Sequence, residues 1–193
     1  MTINLADGLP EVGGFAAGDV LTGIENIVGS SFNDTLIGDA GVNQIFGNSG
    51  NDTITGGAGR DVLLATTGTG QTTAVDTFDY NTLSELEAAS ATTLGAWDTI
   101  FGFTGAAVTG RDLIDVHDLM ASLGLSFANS AAAFASGNLG VVGVTLGGVS
   151  SSALFVDING GTGFGDSGEF WIAGLSGVSA ALGNALSTAS VIV

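Results

Sequence analysis

Between Gly29 and Leu64 the apolar positions recur at a fixed interval of nine residues. Cut at that interval, the stretch reads GSSFNDTLI, GDAGVNQIF, GNSGNDTIT, GGAGRDVLL. Place eight of each block is a branched apolar residue: Leu36, Ile45, Ile54 and Leu63. Place one is glycine, at Gly29, Gly38, Gly47 and Gly56, and place six is a carboxylate or its amide, at Asp34, Asn43, Asp52 and Asp61. The first six places are turn-like. The last three predict a very short strand with one side chain pointing inward and two outward. Two turns and two strands make one coil, and stacked coils form two parallel sheets around a narrow apolar core. The predicted fold is all-β: a parallel β-roll continued by a β-sandwich-like C-terminal region.

The flanks carry weaker patterns. Thr2 to Leu5 alternates and predicts a strand. The segment VLTGIENIV, Val20 to Val28, keeps the nine-residue frame in degenerate form, with Glu25 in place six and Ile27 in place eight. The register breaks at Ala65. Beyond it, Asp76–Tyr80, Trp97–Phe103, Asp112–Val116, Leu139–Leu146, Ala153–Ile158 and Glu169–Ala173 read as strands. Ser84–Ala91 is the best local helix candidate, with Ser84 as its cap. Ala121–Ser136 fits helix or loop. The later strands and their turn signals point to antiparallel pairing. The chain divides into a roll with its lead-in, residues 1–64, and a capping region, 65–193, continuous with it.

One buried branched side chain per nine residues falls well short of the backbone entropy lost on ordering those nine. The turns therefore need another source of stability, and composition points to it. Nineteen acidic residues face two basic ones, for a formal charge of −17. Such a surface repels nucleic acid and anionic lipid, and its natural small partner is a cation. There is no cysteine, so disulfide and thiolate chemistry are excluded. No apolar run approaches the ~18 residues of a membrane span, which argues against membrane insertion. MTINLADGLPEVGG lacks the basic and apolar regions of a secretory signal peptide. The first strand starts without a lead-in, as in a fragment of a longer protein.

The nine-residue block matches the calcium nonapeptide GGxGxDxUx, with U a large apolar residue. Calcium takes six to eight oxygen ligands. One turn supplies a carboxylate and a few carbonyls, half a site, and the turn two repeats away supplies the other half. Asp34 is thus expected to share an ion with Asp52, and Asn43 with Asp61. Asn43 is neutral and weakens its site, with Asp39 in the same turn placed to compensate in part. Ser30 and Phe32 replace glycines in the first turn. Two complete sites result, with half-sites at both ends.

Other features favour structural readings. Asn33-Asp34-Thr35 and Asn51-Asp52-Thr53 match the glycosylation triplet only as a consequence of the repeat. Asp157, Asn159 and Asp166 resemble part of an EF-hand loop but lack the twelfth-place glutamate. His117 is the only histidine, so a zinc-protease pair or a Ser–His–Asp triad has no support. No catalytic site is expected.

The repeats resemble the RTX (repeats-in-toxin) family, proteins exported by type I systems of Gram-negative bacteria. The lead-in TGIENIVGSSFNDTLIGD resembles the usual opening of an RTX roll. DTFDY, WDTIFGF, GRDLIDVHDL, ALFVDINGG and FWIAGLSGV are similar to segments of the C-terminal domain of serralysin-type proteases and RTX adhesins. The resemblance implies that Gly29, Ser31 and Asp34 meet Asn48, Gly50 and Asp52 around one ion, and that Gly38, Ala40 and Asn43 meet Gly57, Gly59 and Asp61 around another. The open lower face, Gly47, Ser49 and Asp52 with Gly56, Ala58 and Asp61, would take ligands from after the roll, Asp98 among them, and Glu25 would close the upper face. It further implies a secreted or cell-surface location, an uncleaved C-terminal export signal compatible with the ending ASVIV, and the type I apparatus as partner. The resemblance leaves two rival classes: an adhesive or surface-layer module prone to self-assembly, and the tail of a secreted protease or lipase.

Overall fold

The computed structural model describes residues 1–65, 74–88, 97–103, 112–126, 139–146, 149–158, 169–175 and 191–192. Each nonapeptide ends in a three-residue strand where the pattern places it. These are β3 (Thr35–Ile37), β4 (Gln44–Phe46), β5 (Thr53–Thr55) and β6 (Val62–Leu64). The lead-in contributes β1 (Thr2–Asn4) and β2 (Asn26–Val28). Strands alternate between two parallel sheets, because each six-residue turn carries the chain across to the opposite face.

The stack continues past Leu64. β7 (Thr77–Asp79) and β10 (Leu113–Asp115) extend the sheet of β1, β3 and β5, and β14 (Val191–Ile192) closes it, all in parallel. β9 (Asp98–Phe101) extends the sheet of β2, β4 and β6, also in parallel. The expectation of antiparallel strands throughout the second half therefore needs correction. Antiparallel pairing is confined to β11 (Leu139–Leu146), β12 (Val149–Asp157) and β13 (Glu169–Leu175), with β8 (Glu87–Ala88) on β13. β13 itself joins β9 in parallel, so this meander prolongs a roll sheet.

The reason lies in the central residue of each strand. In one sheet the register runs Ile3, Leu36, Ile54, Phe78, Ile114, Val191. In the other it runs Ile27, Ile45, Leu63, Ile100, Leu175. All are buried in one continuous core. A strand offering a single inward apolar residue flanked by outward ones can join this stack wherever it lies in the sequence.

One further expectation changes. Ser84–Ala91 does not begin as an α-helix. Leu83–Glu85 is a single 3₁₀ turn, and Glu87 and Ala88 pair with β13. The Glu85 carboxylate folds back to accept from the N–H groups of Asn81 and Thr82, which closes the turn on itself. Residues 89–91 lie outside the described residues. Among the described residues an α-helix, α1, spans His117–Ser122, takes in the first two residues of the Ala/Ser-rich stretch, and buries Leu119 and Met120. Residues 127–136 of that stretch lie outside the described residues. Among the described residues no helix is long and apolar enough to cross a membrane.

Candidate metal centre

Stacking the coils brings the place-six side chains into two columns, one per turn face. In the first, the N–H of Asp34 donates to Asp52 Oδ1 at 2.9 Å, that of Asp52 to Asp76 Oδ1 at 3.0 Å, and that of Asp76 to Asp112 Oδ1 at 2.9 Å. In the second, the N–H of Asn43 donates to Asp61 Oδ1 and that of Asp61 to Asp98 Oδ1, both at 2.8 Å. All seven side chains are buried. Asp52, Asp76, Asp112, Asp61 and Asp98 each satisfy the main chain one coil above with Oδ1.

The expected turn pairs are brought together. Gly47 O packs against Gly29, and Asn48 Nδ2 donates to Gly29 O at 3.4 Å. Gly56 O packs against Gly38, and Gly57 and Gly59 lie against the carbonyls of Asp39 and Gly41. Ser31 and Ala40 lie in the upper turns, and Ser49 and Ala58 in the lower ones. Turns three and four hold the left-handed backbone a tight oxygen-lined turn requires, at Asn48 (φ 74°), Gly50 (φ 125°), Gly57 (φ 92°) and Gly59 (φ 126°). Turns one and two do not, consistent with Ser30, Phe32 and Asp39 at those places. Phe32 is 75% exposed.

The two ends differ from expectation. Glu25 heads the second column through its carbonyl, which accepts from the N–H of Gln44 at 2.7 Å, and its side chain is exposed. The first column ends on the amino group of Met1, 2.6 Å from Asp34 Oδ1. Asp39 Oδ1 is turned to the N–H of Gly41 in its own loop at 2.7 Å, and its N–H donates to Asn43 Oδ1 at 2.9 Å.

Sequence reading missed Asp76 and Asp112, although the signal was present. Asp34-Thr-Leu, Asp52-Thr-Ile, Asp76-Thr-Phe, Asp98-Thr-Ile and Asp112-Leu-Ile repeat one tripeptide. The spacing hides it, since 18 residues separate Asp34 from Asp52 but 24 and 36 separate the next two steps. The tripeptide rather than the interval marks the rung. The triplet asparagines form a ladder of their own, Asn51 N–H to Asn33 Oδ1 at 2.9 Å and Val75 N–H to Asn51 Oδ1 at 3.0 Å. Asn159 and Asp166 lie outside the described residues.

Charge distinguishes the rungs. Burial pushes Asp34 up, but the Met1 ammonium and the Ser30 N–H and hydroxyl outweigh it and hold it below the usual carboxylate range. Burial, reinforced by Asp76 and Asp34, lifts Asp52 to about 7 despite the Asp34 N–H. Burial lifts Asp61 to about 6 and Asp98 to about 8. Asp52 Oδ2, Asp61 Oδ2 and Asn43 Nδ2 have no hydrogen-bond partner. A buried oxygen without a donor costs on the order of 1–3 kcal/mol, so the Oδ2 atoms of Asp52 and Asp61 are left without compensation by the protein itself. Among the described residues no three His, Cys, Asp or Glu side chains converge.

A family profile described as the RTX calcium-binding nonapeptide repeat (four copies) matches residues 19–54, 28–63 and 37–70. Residues 19–70 are RTX calcium-binding nonapeptide repeats. The matched RTX span begins with the degenerate block ahead of Gly29 and runs past Leu64. No curated protein matches the chain significantly. Among solved structures, the chain aligns with the AlgE6R2 subunit of the Azotobacter vinelandii mannuronan C5-epimerase at 24% identity, covering 88% of this chain and 93% of that one, with TM-score 0.48. It aligns with the AlgE6R3 subunit of the same enzyme at 24% identity, covering 89% and 84%, with TM-score 0.41.

Proposed function

We propose that this chain is a non-catalytic, calcium-dependent folding module of a larger exported protein. The observation that carries the reading is the pair of buried, partnerless carboxylate oxygens at Asp52 and Asp61, each set in an RTX turn of left-handed geometry. One ion would lie among Gly29, Ser31, Asp34, Asn48, Gly50 and Asp52, and a second among Gly38, Ala40, Asn43, Gly57, Gly59 and Asp61. Bound calcium supplies positive charge and oxygen coordination to turns that otherwise repel one another. The chain's own residues do the rest. The Asp34, Asn43, Asp52 and Asp61 N–H groups lock each coil to the next, and Leu36, Ile45, Ile54 and Leu63 fill the interior once the turns close.

At low cytosolic calcium the carboxylates repel and the roll stays open, suited to type I export. Outside, at roughly the 10⁻⁴–10⁻³ M range of extracellular modules, binding free energy becomes folding free energy. Isothermal titration calorimetry tests the reading. Calcium should bind at two or more sites per chain with a large favourable enthalpy. An absence of binding at ~10 mM calcium, well above that range, would contradict it.

A further inference from the structure

A groove of about 400 Å³ lies on the outer face of the sheet that holds β3, β5 and β7, away from the interior of the roll. Its floor is Thr35 and Ile37 of β3 with Thr53 and Thr55 of β5. These residues flank the inward Leu36 and Ile54 and so point outward. Its walls come from the turns at Asp39 and Ala58 and from Asp79, Asn81 and Glu85 at the end of β7 and beyond. Tyr80 fixes that last wall. It is buried, its hydroxyl donates to Asp98 Oδ2 at 3.0 Å, and its N–H donates to the carbonyl of Asp115 at 2.9 Å. With Tyr80 turned inward, its neighbours Asp79 and Asn81 are left on the groove side.

The groove carries charge of one sign. Asp39, Asp79 and Glu85 line it, and no Lys, Arg or His is among the described residues that do. Burial pushes the Asp79 and Glu85 carboxyls up, with the charges of Asp115 and Asp118 adding to the effect at Asp79 and that of Asp79 adding at Glu85. Thr55 is a separate sign of a ligand. It is 8% exposed, its side chain lines the groove, and its hydroxyl bonds to no group among the described residues. Buried polar groups are normally satisfied, so this hydroxyl fits a partner brought from outside.

The carboxylates also define the shape of the cation. Among the described residues no three acidic side chains could hold one metal ion, so the groove suits a polyatomic cation. Each carboxylate already serves its own loop. Asp39 Oδ1 accepts from the N–H of Gly41 at 2.7 Å, Asp79 Oδ2 from Asn81 Nδ2 at 3.2 Å, and Glu85 from the N–H groups of Asn81 and Thr82. A guanidinium fork pairs best with both oxygens of one carboxylate, and none here is free on both. An ammonium group has three donors that take single oxygens, such as the second oxygens of Asp39 and Asp79 and the Thr55 hydroxyl. Ile37, Ala40 and Ala58 offer apolar surface to the methylenes behind it.

We propose that this groove binds an alkylammonium group, the protonated amine of a free linear diamine or of a lysine side chain on another protein. The site uses the folded roll, so the test is made in ~10 mM calcium, above the range of extracellular modules. By calorimetry, cadaverine should bind one to one and the neutral diol of the same length should not. A blocked tripeptide with one central lysine separates the two sources: binding as tight as that of cadaverine assigns the groove to a protein lysine, and weaker binding assigns it to a free diamine. Asp79→Asn should weaken cadaverine binding by about tenfold and Thr55→Val by about threefold, with the calcium-induced β signal unchanged. Asp7→Asn, on the exposed lead-in, should bind as wild type does. No cadaverine binding, equal binding of the diol, or an equal loss in Asp7→Asn, the mark of diffuse attraction to the −17 charge, would overturn the proposal. If a groove variant lost its β signal, the cadaverine and diol comparison on the wild-type chain would decide. Calcium titration of the same wild-type sample tests the repeat reading separately.

Discussion

Asp34 donates its backbone N–H to Oδ1 of Asp52 at 2.9 Å, joining residues 18 apart in sequence on adjacent coils. Asp52 thus serves two masters. Its Oδ1 holds the coil above, and its buried Oδ2 has no partner. Asp52→Asn keeps an acceptor for Asp34 and removes the charge. Calcium affinity should fall about tenfold or more, while the metal-free protein should become no less stable. Calorimetry measures the first effect, and the far-ultraviolet β signal retained in chelator at about pH 5, where the metal-free roll is more stable, measures the second; a loss of both would mean that Asp52 is mainly structural.

Asn43 is the neutral member of its column, and its Nδ2 has no partner. Calcium sites tighten with ligand charge. Asn43→Asp should raise the affinity of the site shared with Asp61 by about tenfold and lower metal-free stability through repulsion with Asp61. Titration against a chromophoric chelator reads the first, and unchanged affinity would remove Asn43 from the ligand set.

Gly57 has φ 92°, and a Cβ there would run into the carbonyl oxygen of Asp39. Gly57→Ala should cost ~1–3 kcal/mol and broaden or delay calcium-driven folding. A melt in saturating calcium within a degree of wild type would show that the turn can open without penalty.

The raised carboxyl groups set a pH dependence. Asp52, Asp61 and Asp98 titrate at about 7, 6 and 8 when folded, against an ordinary 3.8, chiefly because of burial. A folded value above the unfolded one means that the fold favours the protonated form. The metal-free roll therefore loses stability as pH rises from about 4 to about 8. With calcium the slope should reverse, because ion binding needs the carboxylates deprotonated. The far-ultraviolet β signal at about pH 5 and pH 8, with chelator and with calcium, measures this. Parallel profiles in the two conditions would argue against carboxylate ligation.

The roll was legible because glycine, carboxylate and apolar residue recur at one interval and each has a separate physical task. β3 through β6 fall on the last three places of their blocks for that reason. Asp98 was recognisable as a post-roll carboxylate. Asp76 and Asp112 were hidden, since chain inserted between rungs destroys the interval but leaves the local Asp-x-apolar rung intact. Ser84–Ala91 misled because helix propensity is a weak signal beside a Glu85 carboxylate that closes a turn and a β13 edge that takes Glu87 and Ala88. The Tyr80–Asp98 bond joins residues in different sheets. No periodicity encodes it.

The central claim is that calcium and the fold of the roll are one equilibrium. Far-ultraviolet circular dichroism of the whole chain, in chelator and then across a calcium titration, tests it most directly. The account predicts a largely unordered spectrum in chelator at neutral pH, giving way cooperatively to a strong β signal as calcium enters the millimolar range. A strong β signal already present in chelator, unchanged by calcium, would contradict it.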